Sequence, residues 1–439
     1  MSKKPIAARH RLAAEKIRAD ESRYLMNTYR RPPIVFTHGC GCRIQDSEGR
    51  QYLDFLGGIA VNALGHAQSD LVRVIRREAG RAIHVSNLFQ NPYQGPLARK
   101  LAEWSGLDRV FFTNSGTEAM DGALKLARAY AHSKSASNGA AKKTRILALE
   151  NSFHGRTFGA VSITYPEKYR EPFAPLVPGV EFVRFDDVAD LEQKFDATVC
   201  AIVMETIQGE GGIFPISEPF WRRARALATH HDAALIADEI QCGMGRTGRY
   251  FAYQKFDAAP DIVTIAKPLA GGLPLGAIIA NEQFASAFSP GMHGTTFGGG
   301  PLVCAAALQV LKVIEKKNLL QNVRERGAQL RAGLEKLAGR FEFIREIRGE
   351  GLIVGVDLSI DGGPVVAESL RQGLIINCTH EHIIRLLPAF IVSRADVSEF
   401  LAKFEKVLQA VSKAASSAAG SQKSKTETQK QPITLAASR

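Results

Sequence analysis

The sequence predicts an α/β protein, with a large domain built on a mostly parallel sheet and a smaller α+β domain after it. Three observations carry that expectation. Short apolar runs alternate with segments of helical period as far as Pro301, the pattern of repeated βα units. The runs are apolar at nearly every position rather than every second one, as strands are when helices cover both faces of their sheet. After Pro301 two long helical segments lead into short strands instead.

Taken in chain order, the Arg-rich stretch 6–26 can form an amphipathic helix. Val110-Phe-Phe-Thr113 reads as a short buried strand, and Asn114-Ser-Gly-Thr-Glu118 opens a helix. Met120, Ala123, Leu124 and Ala127 share one face of that helix at the i, i+3, i+4, i+7 spacing. Further strands are expected at Ile146–Leu149, Val199–Met204, Ala234–Ala237 and Ile262–Ile265. The smaller domain begins with an Ala-rich helix near Leu302–Glu315 and an amphipathic one through Val323, Leu330, Leu334 and Leu337. Strands follow around Phe341–Ile347 and Leu352–Leu358. From Ala414 to Arg439 the chain is rich in Ala, Ser, Lys and Gln. So little apolar surface cannot offset the entropy of ordering, which predicts a disordered tail. The expected layout is a basic leader (1–31), a segment packing with the small domain (32–70), the large domain (71–309), the small domain (310–412) and a basic, disordered tail (413–439).

The net charge of +12 over 439 residues invites a nucleic-acid or membrane reading. Its location argues against one. Residues 1–31 carry nine basic side chains against three acidic ones, a net of +6, and residues 413–439 carry a net of +4, which leaves +2 for residues 32–412. The expected partners therefore include neither nucleic acid nor membrane. No apolar run approaches the roughly 18 residues of a spanning helix, and the N-terminus lacks the apolar stretch of a secretory signal. Glu15, Asp20 and Glu21 argue against a mitochondrial presequence, since such segments are poor in acids. The expected location is the cytoplasm. The six cysteines show no zinc-ligand spacing and read as reduced thiols, so no metal site is expected.

Ligands of an open parallel sheet sit at the carboxyl ends of its strands, and reactive residues fall there. Ser115-Gly-Thr117 begins a helix, where unpaired N–H groups and the dipole suit a phosphate, although a plain helix cap would use the same residues. Asp238 closes an apolar strand, and by itself could be a helix cap or half of an ion pair. Lys267 ends another strand and is followed by Pro268 and the Gly271-Gly272 turn. Poor solvation there would lower its pKa and make the amine nucleophilic toward a carbonyl, although a lysine at a strand end can also reach out to solvent. Together these three features suit pyridoxal phosphate. The turn anchors its phosphate, the lysine holds its aldehyde as an imine, and the carboxylate keeps the ring nitrogen protonated.

Six segments occur in order: Asn114-Ser-Gly-Thr-Glu-Ala119, Asn151-Ser-Phe-His-Gly-Arg-Thr157, Glu205-Thr-Ile-Gln-Gly-Glu-Gly-Gly212, Asp238-Glu-Ile-Gln-Cys-Gly-Met-Gly-Arg-Thr-Gly248, Lys267 and His293-Gly-Thr-Thr-Phe-Gly-Gly299. With them the chain resembles the class III pyridoxal-phosphate aminotransferases from about Pro33 to Lys413. The resemblance implies fold type I with a sheet of seven strands, pyridoxal 5'-phosphate as cofactor, and a homodimer with active sites at the subunit interface. It implies Lys267 as the Schiff-base lysine and Asp238 as the partner of the ring nitrogen. Ser115, Gly116 and Thr117 match the phosphate-binding turn, Phe153 the aromatic that stacks on the ring, and Ile240 and Gln241 residues beside it. Thr296 would reach the phosphate from the neighbouring subunit, with Thr295 near substrate. Arg156 matches an arginine that grips a substrate carboxylate, and Arg385 a second one. Glu210 matches the glutamate that pairs with that second arginine when no carboxylate is there. His154 reads as support for the ring site rather than as an acid or base. Thr206, Pro268 and Gly300 depart from the usual proline, small residue and asparagine. These changes touch loop geometry and no catalytic group.

The resemblance implies a ping-pong transamination between an ω-amino donor and 2-oxoglutarate. Within the family, enzymes acting on free ornithine usually carry a tyrosine in the segment equivalent to Leu56–Val61. Here that segment is Leu-Gly-Gly-Ile-Ala-Val, which favours N2-acetyl-L-ornithine and a place in arginine biosynthesis. Ornithine or 4-aminobutyrate as donor, or an aminomutase of the same fold, are the other readings.

Overall fold

The computed structural model describes residues 6–138 and 143–428 of the chain. Its centre is a seven-stranded sheet in the order Arg109–Thr113, Gly276–Ala280, Ile262–Ile265, Ala234–Asp238, Val199–Glu205, Arg145–Leu149, Val180–Val183. Gly276–Ala280 runs antiparallel to both neighbours, while the other pairings are parallel. Two of these strands, Val180–Val183 and Gly276–Ala280, are absent from the sequence expectation. Only residues 266–275 separate Gly276–Ala280 from the strand before it. That is too short for the crossover a parallel neighbour needs, so the chain turns back.

The apolar runs have the expected cause. Along each central strand, alternate residues enter two different cores. Leu147, Ile202, Leu235 and Val263 face one, while Ile146, Ala201, Ile236 and Ile262 face the other. The second core is closed by the helix Gly116–Asn138, through the Met120, Ala123, Leu124 and Ala127 face read from its spacing. The first is closed by Glu218–His230 and by Pro301–Lys316, whose Pro301 sits at a helix start, where its missing N–H costs nothing.

Beyond Lys316 come the helix Leu319–Ala338 and an antiparallel four-stranded sheet of Ile344–Glu350, Ile353–Leu358, Ile383–Leu386 and Asn377–Thr379. The N-terminal strands Phe36–Cys40, Arg43–Asp46 and Gln51–Asp54 form another sheet, completed by Leu374–Ile375. Residues near the N-terminus therefore pair with residues far along the chain. An earlier helix covers Ile6–Tyr24.

The expectation of disorder over 413–439 needs correction in part. The last helix runs from Arg394 to Thr428. Its first half is seeded by buried Val397, Phe400, Phe404, Val407 and Leu408. Residues 429–439 lie outside the described part of the chain. All six cysteines are free thiols.

Candidate active site

Three parallel strand ends and one helix start meet at a cavity of about 250 Å³. Asp238 and Glu205 close adjacent strands in matching register, Lys267 follows Ile262–Ile265, and Gly116-Thr117 begins the helix after Arg109–Thr113. Phe153, Arg156, Ile240 and Gln241 complete the wall.

Asp238 is buried, and its two oxygens are committed. Oδ1 accepts the N–H of Ile240 at 3.0 Å, and Oδ2 accepts from His154 Nδ1 at 2.7 Å. His154 is itself buried, with its Nε2 unpartnered among the described residues. Burial holds the Lys267 ammonium below the ordinary lysine range, with Asp238 and Glu210 opposing. An amine so placed spends more of its time neutral and nucleophilic.

The phosphate-type turn is held open by missing side chains. A Cβ on Gly116 would lie 2.8 Å from Ile240 Cδ1. The Thr117 hydroxyl accepts the N–H groups of Arg156 and Thr157, each at 3.0 Å, and lies 2.9 Å from the Thr157 hydroxyl. It thereby stitches the loop carrying Phe153 to the helix start. Gly155 has φ +133°, and a Cβ there would fall 2.3 Å from Thr117 Oγ1, so only glycine allows that approach. Ser115 acts as a cap, its Oγ accepting the Glu118 N–H at 3.3 Å. Capping and an anion-ready helix start coexist, because a cap uses only one of the free N–H groups.

Arg156 stands over the Tyr169 ring, with the guanidinium carbon 3.8 Å from the centroid, and 5.4 Å from that of Phe153. Arg385 is 1% exposed. It donates to Glu210, to Gln241 Oε1 at 3.1 Å, to the Gly209 carbonyl at 3.2 Å and to Asn377 Oδ1 at 3.2 Å. Burial alone would raise the Glu210 carboxyl, but the charge and hydrogen bond of Arg385 hold it below the usual carboxylate range. Among the described residues the Arg156 guanidinium has no carboxylate partner, whereas Arg385 is paired with Glu210.

Thr295 and Thr296 are not brought to this cavity. The Thr295 hydroxyl accepts from Asn114 Nδ2 and from the Gly298 N–H, each at 3.2 Å. Thr296 is exposed. Their loop lies against residues 84–94 through Asn87, which donates to the carbonyls of Thr295 and Gly298. Exposed Ile83, Leu88, Phe89 and Phe297 crowd the same surface.

Glu205 lines the cavity without having been expected there. It is 5% exposed, and its oxygens accept the N–H groups of Phe153 at 2.9 Å and Gly209 at 2.8 Å. The signal was available, since an acid closing an apolar strand is the feature that singled out Asp238.

Residues 24–408 match the model of the family described as "Aminotransferase class-III". The chain is 44% identical over 392 residues to the acetylornithine aminotransferase of Caldanaerobacter subterraneus subsp. tengcongensis, covering 89% of this chain and 98% of that one. The ornithine aminotransferase of Toxoplasma gondii superposes with a TM-score of 0.88 at 32% identity, over 94% of this chain and 100% of that one. The N-acetylornithine aminotransferase of Stenotrophomonas maltophilia does so with 0.76 at 33%, over 90% and 99%. A lysine of lowered basicity facing an aspartate–histidine pair is thus found in a chain whose sequence matches one family nearly end to end, and the chain belongs to the class III aminotransferases.

Proposed function

We propose that this aminotransferase moves the ω-amino group of N2-acetyl-L-ornithine to 2-oxoglutarate, giving N-acetyl-L-glutamate 5-semialdehyde and L-glutamate. The observation that carries the proposal is the Glu210–Arg385 pair beside the cavity that holds Lys267 and Asp238. One site must accept a distal amine in one half-reaction and an α-amino diacid in the other. With glutamate bound, Arg385 engages its α-carboxylate. With an ω-amine bound, Glu210 neutralises Arg385, which would otherwise be an unpaired buried charge. Arg156 grips the remaining carboxylate in both cases.

Pyridoxal 5'-phosphate is the cofactor of this family, and the residues present fit it. The glycine-lined helix start would take its phosphate, Asp238 its ring nitrogen, the face of Phe153 its ring, and Lys267 its aldehyde. When bound, the cofactor supplies a carbonyl that takes up the amino group and a ring that accepts electrons released at the substrate carbon. Lys267 Nζ, its basicity lowered by burial, would carry a proton between the substrate carbon and the bound cofactor, off the donor in one half-reaction and onto the acceptor in the other. His154 holds the Asp238 carboxylate in orientation.

A homodimer fits the exposed apolar surface around Leu88, Phe89 and Phe297, and would bring Thr296 of one copy to the cavity of the other. A cytoplasmic location fits the six unpaired cysteines. Free ornithine is the second reading, favoured by the likeness to the T. gondii ornithine aminotransferase and opposed by a Leu56–Val61 segment with no tyrosine. Steady-state rates with acetylornithine, ornithine and 4-aminobutyrate, each with 2-oxoglutarate, separate them. Acetylornithine should have the highest kcat/KM, and a clear preference for free ornithine would replace the first reading with the second.

A further inference from the structure

Glu205 occupies a position that the transamination chemistry leaves without a task. It ends the strand Val199–Glu205, opposite Asp238 of the neighbouring strand, and both its oxygens are engaged. Oε1 receives the N–H of Phe153, the ring-stacking residue, at 2.9 Å, and Oε2 receives the N–H of Gly209 at 2.8 Å. The Gly209 carbonyl in turn accepts from Arg385 at 3.2 Å. A continuous run of hydrogen bonds therefore leads from Arg385 through Gly209 and Glu205 to Phe153. The hairpin of Ile207–Gln208 and Phe214–Pro215 carries Gly209 and Glu210 at its tip. It touches the Phe153 loop otherwise through Gln208 Nε2, which donates to the Glu150 carbonyl at 2.8 Å.

We propose that Glu205 is the positioning residue that couples the Glu210–Arg385 gate to the aromatic face on which the cofactor ring rests. A carboxylate accepts two N–H groups on opposite sides, whereas no neutral side chain of the same length does so. The two loops it joins belong to different parts of the site, one closing over the ring and the other choosing between amine and dicarboxylate. Burial also pushes the Glu205 carboxyl up to about 7, with His154 opposing and Asp238 adding to the rise, so the bonds made by this carboxylate carry the cost of keeping it charged. The proposal rests on the aminotransferase reading, with 2-oxoglutarate as the dicarboxylate.

The experiment uses the full chain and the variants Glu205→Gln, Glu205→Asp and Glu205→Ala, with thermal unfolding as the check on folding. In Glu205→Gln one N–H faces an amide –NH₂ instead of an oxygen, and in Glu205→Asp the charge stays but the reach is lost. Cofactor-free protein is titrated with pyridoxal 5'-phosphate by absorbance, and KM and kcat for 2-oxoglutarate are measured at saturating cofactor. We expect cofactor affinity to fall about 5–20-fold in both Gln and Asp variants. In the same variants KM for 2-oxoglutarate should rise at least 5-fold, with kcat lowered less than 3-fold. If affinity and KM do not move together, or if neither moves, the coupling is wrong. If Glu205→Ala fails to fold, the isosteric Gln variant alone decides. The cofactor titration involves no amino acceptor, so if the unsubstituted enzyme does not use 2-oxoglutarate the substrate reading fails, and the titration still reports on the ring seat.

Discussion

Glu239 follows Asp238 in the chain, and the two do different work. Asp238 lines the cavity. Glu239 is wholly buried behind it, where its carboxylate accepts the Thr206 hydroxyl at 2.7 Å and the N–H groups of Ala252 at 2.8 Å and Tyr253 at 2.9 Å. Thr206 stands where the family's usual proline could not donate. Burial pushes Glu239 up to about 7, with these hydrogen bonds opposing. An unfolded glutamate titrates near about 4.3. Between those values the folded chain holds a proton that the unfolded chain has released. The group therefore contributes stability below the usual carboxylate range, and loses it as pH rises through about 7. Glu239→Gln should remove about one proton's worth of slope from a plot of urea midpoint against pH between 5 and 7.5. An unchanged slope would mean that Glu239 stays ionised throughout. Strand-end acids were legible from their place after an apolar run. Which of them faces the cavity was not, because side-chain direction at a strand end depends on loops arriving from elsewhere.

Among the elements, the 151–157 loop and the helix start at Gly116 act as one unit. The Thr117 hydroxyl receives two N–H groups from the loop, and the glycine at 155 lets the two backbones close. Gly155→Ala would impose a Cβ 2.3 Å from Thr117 Oγ1 at a φ of +133°. That substitution should cost about 1–3 kcal/mol of stability and weaken cofactor binding at least 10-fold, as read by titration of cofactor-free protein. Binding within 2-fold of the unsubstituted chain would show that the close approach is dispensable. The glycines were visible in the sequence as a motif, but their reason is the meeting of two segments far apart in the chain. The missed strand Gly276–Ala280 has a similar explanation. Its Gly-Ala-Ile-Ile-Ala sequence is short and weakly marked, and it becomes a strand because the sheet offers it two neighbours. The last helix combines two textures, a first half buried through Val397, Phe400 and Phe404 and a continuation to Thr428 whose composition from Ala414 offers little apolar surface.

At the scale of the whole molecule, the described chain buries two cores against one sheet and leaves apolar residues on one surface, including Leu88 at 87%, Phe89 at 69% and Phe297 at 67% exposure. Apolar groups gathered on one face mark an interface. If a second copy covers this face, Phe297→Glu should shift the protein toward monomer in sedimentation at micromolar concentration and lower kcat/KM at least 10-fold, as Thr296 leaves its neighbour's cavity. A monomer of unaltered activity would exclude shared sites. Local pattern by itself determined the alternation of strand and helix, the two-sided burial of the sheet and the placing of Lys267, Asp238 and the Ser115–Thr117 turn at element ends. Each depends on residues close together in the chain. The resemblance already implied the pairing of Glu210 with Arg385, while the tertiary structure alone decided that Arg385, from a separate sheet, also donates to Gln241, that Glu205 bridges two loops, and that the Thr295 hydroxyl is taken up by Asn114. Most of these contacts join segments from 52 to 181 residues apart, and their geometry is set by how layers pack rather than by any periodicity along the chain.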